Sequence, residues 1–459
     1  MKQRNRIAFF NILSTVVLKG SAFFTGMLFS RLLGGSGYGS LKLYNISVSI
    51  VTILFSLQTQ TTLANARVEY PETAQKGYQS SVMTLSVLFF GLCTGLTLMF
   101  LKPLSIQLEL EPLIILLVLL QAFGNFCVEF LNKKNVYEFR AGWNMILSMV
   151  MVLVPLVLAV VLILQMPYET RYVGRVIANS VSYGVVGTAV CVGILLRGRT
   201  YFHREYWKFC LVLALPAVFH NLSDLILNQM DSLMLNALMN TAAVGYYGNA
   251  WGFANFLFIL FQALNNIWCA YFFEEMKTGQ RQSMLEKSRN FLEVFTILAC
   301  GFMLLAPEVY HVYAPKEFWV ATMVIPLFTA AYYVNFLCTF PVNFEYYHKK
   351  PKAVAVITVS SSLLNLVLNY VFIRAMGMAG AAVATLASHC LQLTLHHLYS
   401  VRLGEYPFPL KLWVGYPLVF CSILAVVFLL PDAWFIRWPL GAVLGIFMLL
   451  RIRKRKVLI

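Results

Sequence analysis

Along the 459 residues, apolar side chains fall into long runs separated by short polar stretches. Each run is long enough, at 1.5 Å per helical residue, to cross a hydrocarbon slab about 30 Å thick. The pattern predicts helices over residues 7–30, 41–63, 78–101, 112–131, 142–165, 172–196, 208–235, 243–273, 290–313, 318–343, 353–374, 377–401, 410–430 and 434–450. The expected fold class is therefore an all-α polytopic membrane protein with about fourteen transmembrane helices.

Composition excludes a soluble chain. Apolar residues make up 59% and charged residues 12%, against roughly 45–50% and 25% in ordinary globular proteins. The net charge of +16 does not point to nucleic acid, because no soluble stretch is long enough to fold into a binding module. The cations report orientation instead. With the amino terminus inside, 26 of the 35 Lys and Arg residues fall on cytoplasmic segments and eight on outer ones, leaving Lys19 within the first segment. This predicts a multi-pass cell-membrane protein with both termini cytoplasmic. The basic run Arg451-Ile-Arg-Lys-Arg-Lys456 reads as an anchor facing anionic lipid. Lys2, Arg4 and Arg6 precede a stretch that contains Lys19 and no A-x-A site, so it reads as a first transmembrane helix and not a removable signal. Nine cysteines lie in or beside apolar runs without C-x-x-C or Cys/His spacing, so neither a disulfide framework nor a metal site is expected.

A weak internal repeat divides the chain. Ser36-Gly-Tyr-Gly39 follows the first segment and Val244-Gly-Tyr-Tyr-Gly248 follows the seventh, with Tyr38 and Tyr247 offset by 209. Tyr172-Val-Gly174 and Met378-Ala-Gly380 open the sixth and twelfth segments at an offset of 206. The expected organisation is a six-helix lobe over 1–200, a second over 201–402, and a helix pair with a basic tail over 403–459. Because six is even, the lobes share one orientation and are related by a pseudo-two-fold axis along the membrane normal, as in alternating-access carriers.

Charges placed deep in a bilayer cost about 2.5–3.5 kcal/mol each on insertion scales and are usually paired or face water. Lys19 lies about twelve residues, or ~18 Å, above the inner end of its helix, too deep to snorkel. The seventh segment carries His220, Asp224, Asn228 and Asp231 at spacings of four, four and three, a polar stripe on one helical face. Asp224 stands at a depth near that of Lys19, and Asp231 near that of Arg31. Two readings are open: charge pairs that tie the lobes together, or a cavity in which Lys19 and Arg31 meet an anionic substrate while Asp224 or Asp231 takes up a proton or sodium ion. The eighth segment adds Asn249 and, on one face, Asn255, Gln262 and Asn266. Asn365, Asn369, His389, Gln392 and His396 follow on the eleventh and twelfth. Such groups serve as interhelical hydrogen-bond glue or, collectively, as a surface for hydroxyl-rich cargo. Glu129 and Glu293, near inner helix ends, read as solvated or interfacial. No G-x-x-x-x-G-K-[ST], H-E-x-x-H or G-x-S-x-G motif is present, and no outer loop exceeds about twelve residues, so an enzyme is not expected.

Three stretches carry a family likeness: Ser30-Arg-Leu-Leu-Gly34 with Tyr38-Gly39; Asp231-Ser-Leu-Met-Leu235 with Val244-Gly-Tyr-Tyr-Gly248; and Ser362-Leu-Leu-Asn365-Leu-Val-Leu-Asn369 with Gly377-Met-Ala-Gly380-Ala-Ala-Val-Ala-Thr385. In these the chain resembles the multidrug/oligosaccharidyl-lipid/polysaccharide exporter superfamily, and within it the Wzx-type polysaccharide flippases. The resemblance implies two six-helix lobes with the first and seventh helices lining a central cavity. It also implies a cargo of undecaprenyl-diphosphate-linked oligosaccharide moved to the outer leaflet for surface polysaccharide biosynthesis. The family's basic cavity residues fall here on Lys19 and Arg31. Membrane lipids and the pathway's polymerase and chain-length proteins are the partners implied. The chain departs from many members in having fourteen helices, a feature shared with lipid II flippases. Lipid II transport, cation-coupled drug export, and a non-transporting membrane scaffold or part of a biosynthetic enzyme complex are the competing readings.

Overall fold

The computed structural model of the protein describes residues 2–108, 110–138 and 140–455, with side chains from Ser21 onward except 22, 108, 141, 410–413, 452 and 454–455. Among the described residues there is no strand. Fifteen α-helices follow one another: α1 Lys2–Phe55, α2 Leu63–Glu69, α3 Gln75–Met99, α4 Leu101–Leu108, α5 Pro112–Tyr137, α6 Ala141–Gln165, α7 Arg171–Gly198, α8 Arg204–Leu238, α9 Thr241–Thr278, α10 Arg281–Tyr313, α11 Ile325–Tyr347, α12 Pro351–Met376, α13 Met378–Arg402, α14 Leu410–Leu429 and α15 Trp434–Arg455. Twelve helices among the described residues are long and apolar enough to cross a membrane, and Val414–Leu429 is a shorter apolar helix. Leu153, Val157, Val161 and Leu164 on α6, and Leu363, Val367 and Val371 on α12, are exposed at helical spacing. Such apolar rows are untenable in water and suit hydrocarbon.

The chain forms two compact units, Met1–Met230 and Asp231–Ile459, the division falling inside α8. In the first unit, α1 is two helices joined at Gly34, whose φ of 68° and ψ of 178° break the helical path. The junction matches the predicted gap between segments 7–30 and 41–63. The second of these segments ends earlier than its hydropathy suggests, at Phe55. Leu57 and Gln58 adopt positive φ of 55° and 52°, and a 3-10 turn covers Thr59–Thr62. Unwound backbone at membrane depth survives only where protein groups satisfy it, and here they do. Gln58 N donates to Ser56 Oγ (3.1 Å), Ser86 Oγ donates to the Ser56 carbonyl (3.0 Å), and Thr62 Oγ1 and Tyr78 OH lie 2.7 Å apart.

The second unit has an aromatic core. Trp268 stacks on Phe291 with ring centroids 5.3 Å apart, and Tyr333 on Phe420 at 4.0 Å. The α14–α15 pair is held to α10 by charge as well as apolar contact. Arg437, only 1% exposed, pairs with Glu308 and donates to the Pro431 carbonyl (2.7 Å), while Trp438 Nε1 donates to the other Glu308 oxygen (3.2 Å). Arg451 Nε lies 3.1 Å from Glu293. Glu293, read from sequence as solvated or interfacial, is thus an ion-pair partner. Removing one member of a buried pair strands the other. Glu308→Ala is expected to cost about 2 kcal/mol, less than a fully buried pair because Glu308 keeps some solvent contact. That corresponds to a thermal midpoint lowered by roughly 4–8 °C in the purified protein, with Glu308→Gln losing less. An unchanged midpoint in the alanine variant would refute the clamp.

Candidate functional site

The most convergent polar cluster lies in the second unit. On α12, Asn365 and Asn369 are one turn apart and share a face. Gly377 then turns the chain at a φ of 59° and ψ of −133°, a combination suited to glycine. Gly380 brings α13 so close that a Cβ there would lie 2.0 Å from the Phe372 carbonyl oxygen. The G-x-x-G motif thus clasps α12 to α13 and sets Thr385 level with Asn369. Onto this hairpin α8 delivers Asp231. Its Oδ1 accepts from Asn369 Nδ2 (2.6 Å), and its Oδ2 accepts from Tyr247 OH on α9 (2.7 Å) and from Thr385 Oγ1 (3.0 Å). Asn369 Nδ2 also donates to Asn365 Oδ1 (2.9 Å). Asn369 is fully buried, yet its Oδ1 has no hydrogen-bond partner. His389, one turn beyond Thr385, meets Gln392 Oε1 at 3.3 Å. A carboxylate, two amide oxygens and a hydroxyl converge here from α8, α12 and α13. These are the ligand types that hard cations take.

The first unit holds a polar cavity of about 670 Å³ beside the unwound end of α1, lined by Gln58, Asn125, Glu129, Asn132, Asn221 and Asp224 among others. Asn221 Nδ2 donates to Gln58 Oε1 (2.8 Å), and Gln60 Nε2 to Glu129 Oε2 (3.2 Å). Ser49, Asn125 and Tyr183 also line a second chamber of about 330 Å³, which contains Asn45, Gln121, Arg175 and Asn179. Tyr44 fixes one wall of it: its hydroxyl lies 2.9 Å from Gln121 Oε1 and 2.8 Å from Ser180 Oγ. The Arg175 guanidinium sits over the Phe29 ring at 4.2 Å and donates to the Pro155 carbonyl (3.1 Å). Polar chambers of this size, with one cation placed by an aromatic face, suit a ligand that combines many hydroxyls with an anionic group.

The residues expected from sequence are distributed unevenly. Lys19 lies outside the residues whose side chains are described. Arg31 is exposed just before the Gly34 kink, and His220 is exposed on α8. Asp224 lines the first-unit cavity and accepts from Asn228 Nδ2 (3.0 Å), which also bonds the Asp224 carbonyl (2.8 Å). Asn228 lines the same cavity. Asn255 and Gln262 are half-buried and Asn266 is exposed, whereas Asn249 is fully buried and accepts from Tyr310 OH (2.9 Å). His396 turns away from the stripe it shares with His389 and meets the buried Glu345 at 2.9 Å. Two residues that the sequence did not single out for a cavity border these chambers. Arg175, near the amino-terminal end of α7, lines the smaller chamber, and Glu129 lines the larger. The signal for Arg175 was its position inside the segment 172–196. The gathering of Tyr247, Asn365, Asn369 and Thr385 around Asp231 was present only as separate motifs.

Residues 6–269, more than half of the chain, match the family described as polysaccharide biosynthesis protein. The chain belongs to that family. No curated protein matches it. Among solved structures, the fold is similar to the lipid II flippase MurJ in an inward closed conformation, with a TM-score of 0.73 at 15% identity, over 97% of this chain and 99% of that one. It is also similar to an inward-facing multidrug resistance MATE family transporter of the MOP superfamily, with a TM-score of 0.62 at 13% identity, over 84% of this chain and 95% of that one. A mutant of the Vibrio cholerae MATE transporter VcmN gives a TM-score of 0.56 at 12% identity, over 89% of this chain and all of its own. This member of the polysaccharide biosynthesis family therefore has a multi-pass helical fold of the flippase and exporter type.

Proposed function

We propose that the protein flips a polyprenyl-diphosphate-linked oligosaccharide from the cytoplasmic to the outer leaflet by alternating access, supplying surface polysaccharide synthesis. The observation that carries this reading is the polar two-chambered cavity with a guanidinium inside it, in a unit whose outer face is apolar. Amides and carboxylates bind sugar hydroxyls, while Arg175 on α7, with Lys19 and Arg31 on α1, attracts the diphosphate. The prenyl chain stays in lipid. Asp231 and its oxygen ligands take the coupling cation, sodium or proton, whose binding biases one conformation over the other. The cation asymmetry of the loops supports cytoplasmic termini, and the pathway's polymerase and chain-length proteins are the expected neighbours.

Lipid II as cargo is favoured by one observation, the likeness to a lipid II flippase over nearly the whole chain, including the appended helix pair. Reconstitution separates the cargoes. In vesicles carrying labelled undecaprenyl-diphosphate oligosaccharide or lipid II, the protein is expected to move the oligosaccharide at least about tenfold faster than protein-free vesicles, with little effect on lipid II. The opposite preference would assign lipid II, and movement of neither would refute lipid flipping.

A further inference from the structure

The end of the first unit where α2, α3, α5 and α7 meet carries another cavity, of about 470 Å³, whose lining residues are distinct from those of the cargo chambers. It is lined by five cations, Arg67, Lys76, Lys134, Arg140 and Arg197, against two carboxylates, Glu72 and Glu138. Glu138 is already committed. It lies 3.7 Å from Lys134 and 3.2 Å from Arg140, and accepts from Gln79 Nε2 (3.3 Å). The Lys134 side chain is only 10% exposed. Among the described residues, Arg67, Lys76 and Arg197 form no ion pair within 4.0 Å. Packing also forces like charges together. A Cβ on Gly198 would lie 2.2 Å from the Lys76 carbonyl oxygen and 2.3 Å from Ser80 Cβ. The end of α7 is thus pressed onto the first turn of α3, and Arg197 is held near Lys76. Cations that serve only to orient a membrane protein need neither a concave wall nor this crowding. The position of Arg197 at a helix carboxyl end accounts for that residue alone.

We propose that this cavity is a binding site for a phosphate-bearing anion, supplied either by the head group of an anionic membrane lipid or by a free polyphosphate. Two guanidinium forks and the Lys76 ammonium offer bidentate and point-charge contacts to phosphate oxygens. The volume lies within the range of small-molecule sites. A dianion set among Arg67, Lys76 and Arg197 relieves their mutual repulsion, and among the described residues no carboxylate pairs with them within 4.0 Å.

The test uses the full chain in nanodiscs of phosphatidylcholine, titrated calorimetrically with pyrophosphate. Wild type is expected to bind, and Lys76→Gln with Arg197→Gln to bind at least tenfold more weakly. Glu72→Gln, which removes an acid from the rim, is expected to bind at least twofold more tightly and gives a reading should the double variant not fold. Lys316→Gln, exposed and outside this cavity, is expected to bind as wild type does, which separates this site from general surface charge. Repeating the titration in discs containing phosphatidylglycerol tells the sources apart: weakened pyrophosphate binding marks the lipid head group as occupant, and unchanged binding marks the free anion. The proposal is overturned if wild type binds neither pyrophosphate nor phosphatidylglycerol in preference to phosphatidylcholine. It is also overturned if the rim variants match wild type, or if binding disappears in Lys316→Gln instead. None of these outcomes depends on the cargo reading, because transport is not measured.

Discussion

Asp231→Asn is expected to reduce transport by about a hundredfold and to erase its dependence on the coupling cation, with normal accumulation in the membrane. The substitution keeps the side chain's shape. It removes a charge that three donors now share, and hydrogen bonds to charged groups contribute about 1.5–3 kcal/mol each. The fold survives because the Tyr247 and Thr385 hydroxyls can turn from donating to accepting. The cation loses its counter-charge and cannot bind. Wild type should therefore gain thermal stability with the coupling ion, about 1.4 kcal/mol at ten times its dissociation constant, and the variant should gain none. A comparison of sodium, potassium and pH series by thermal unfolding reads this without transport. Cation-dependent stabilisation that persists in Asp231→Asn would sink the ion site, whatever the transport result.

Arg175→Gln is expected to lower export of the lipid-linked glycan by about tenfold to a hundredfold, equivalent to roughly 1.4–2.8 kcal/mol of lost cargo binding. Arg175 is the cation that the described structure places inside the first-unit chambers, over Phe29 and against the Pro155 carbonyl. Arg175→Lys should recover only part of the activity, since an ammonium keeps the charge and gives up the planar fork and the stacking. A positioning role would lower the maximal rate. A binding role raises the cargo concentration for half-maximal rate, and that is the expected result in reconstituted vesicles. Lys19→Ala is expected to abolish export while the protein inserts normally, on the strength of its depth in the first segment. Undiminished surface polysaccharide in either variant would remove that residue from the cargo path.

How much of this was legible in the sequence follows from the range of the interactions concerned. Hydropathy over twenty residues is a local sum, so the helices could be read directly, and the gap between segments 7–30 and 41–63 became the kink at Gly34. The end of the second segment could not be read this way. Ser56 to Thr62 are polar enough to unwind, but only contacts with Ser86, Tyr78 and Asn221, far along the chain, make unwinding affordable. Local spacing likewise put His220, Asp224, Asn228 and Asp231 on one face of one helix. It did not separate Asp224, which borders the first-unit cavity, from Asp231, which the second unit's own helices surround.

The sequence by itself determined that the chain lives in a bilayer and that it is all helix, and its motifs carried the likeness to its family, because each rests on neighbouring residues and, for the first two, on the cost of placing polar groups in hydrocarbon. Only the tertiary structure decided which scarce polar groups meet. It made Arg175 a cavity cation. It also made Asn369 and Thr385 ligands of Asp231 through a hairpin closed by Gly377 and Gly380. Partners 138 and 154 residues apart leave no periodic trace in a chain, since their pairing is fixed by how closely helices pack and not by any spacing along one of them.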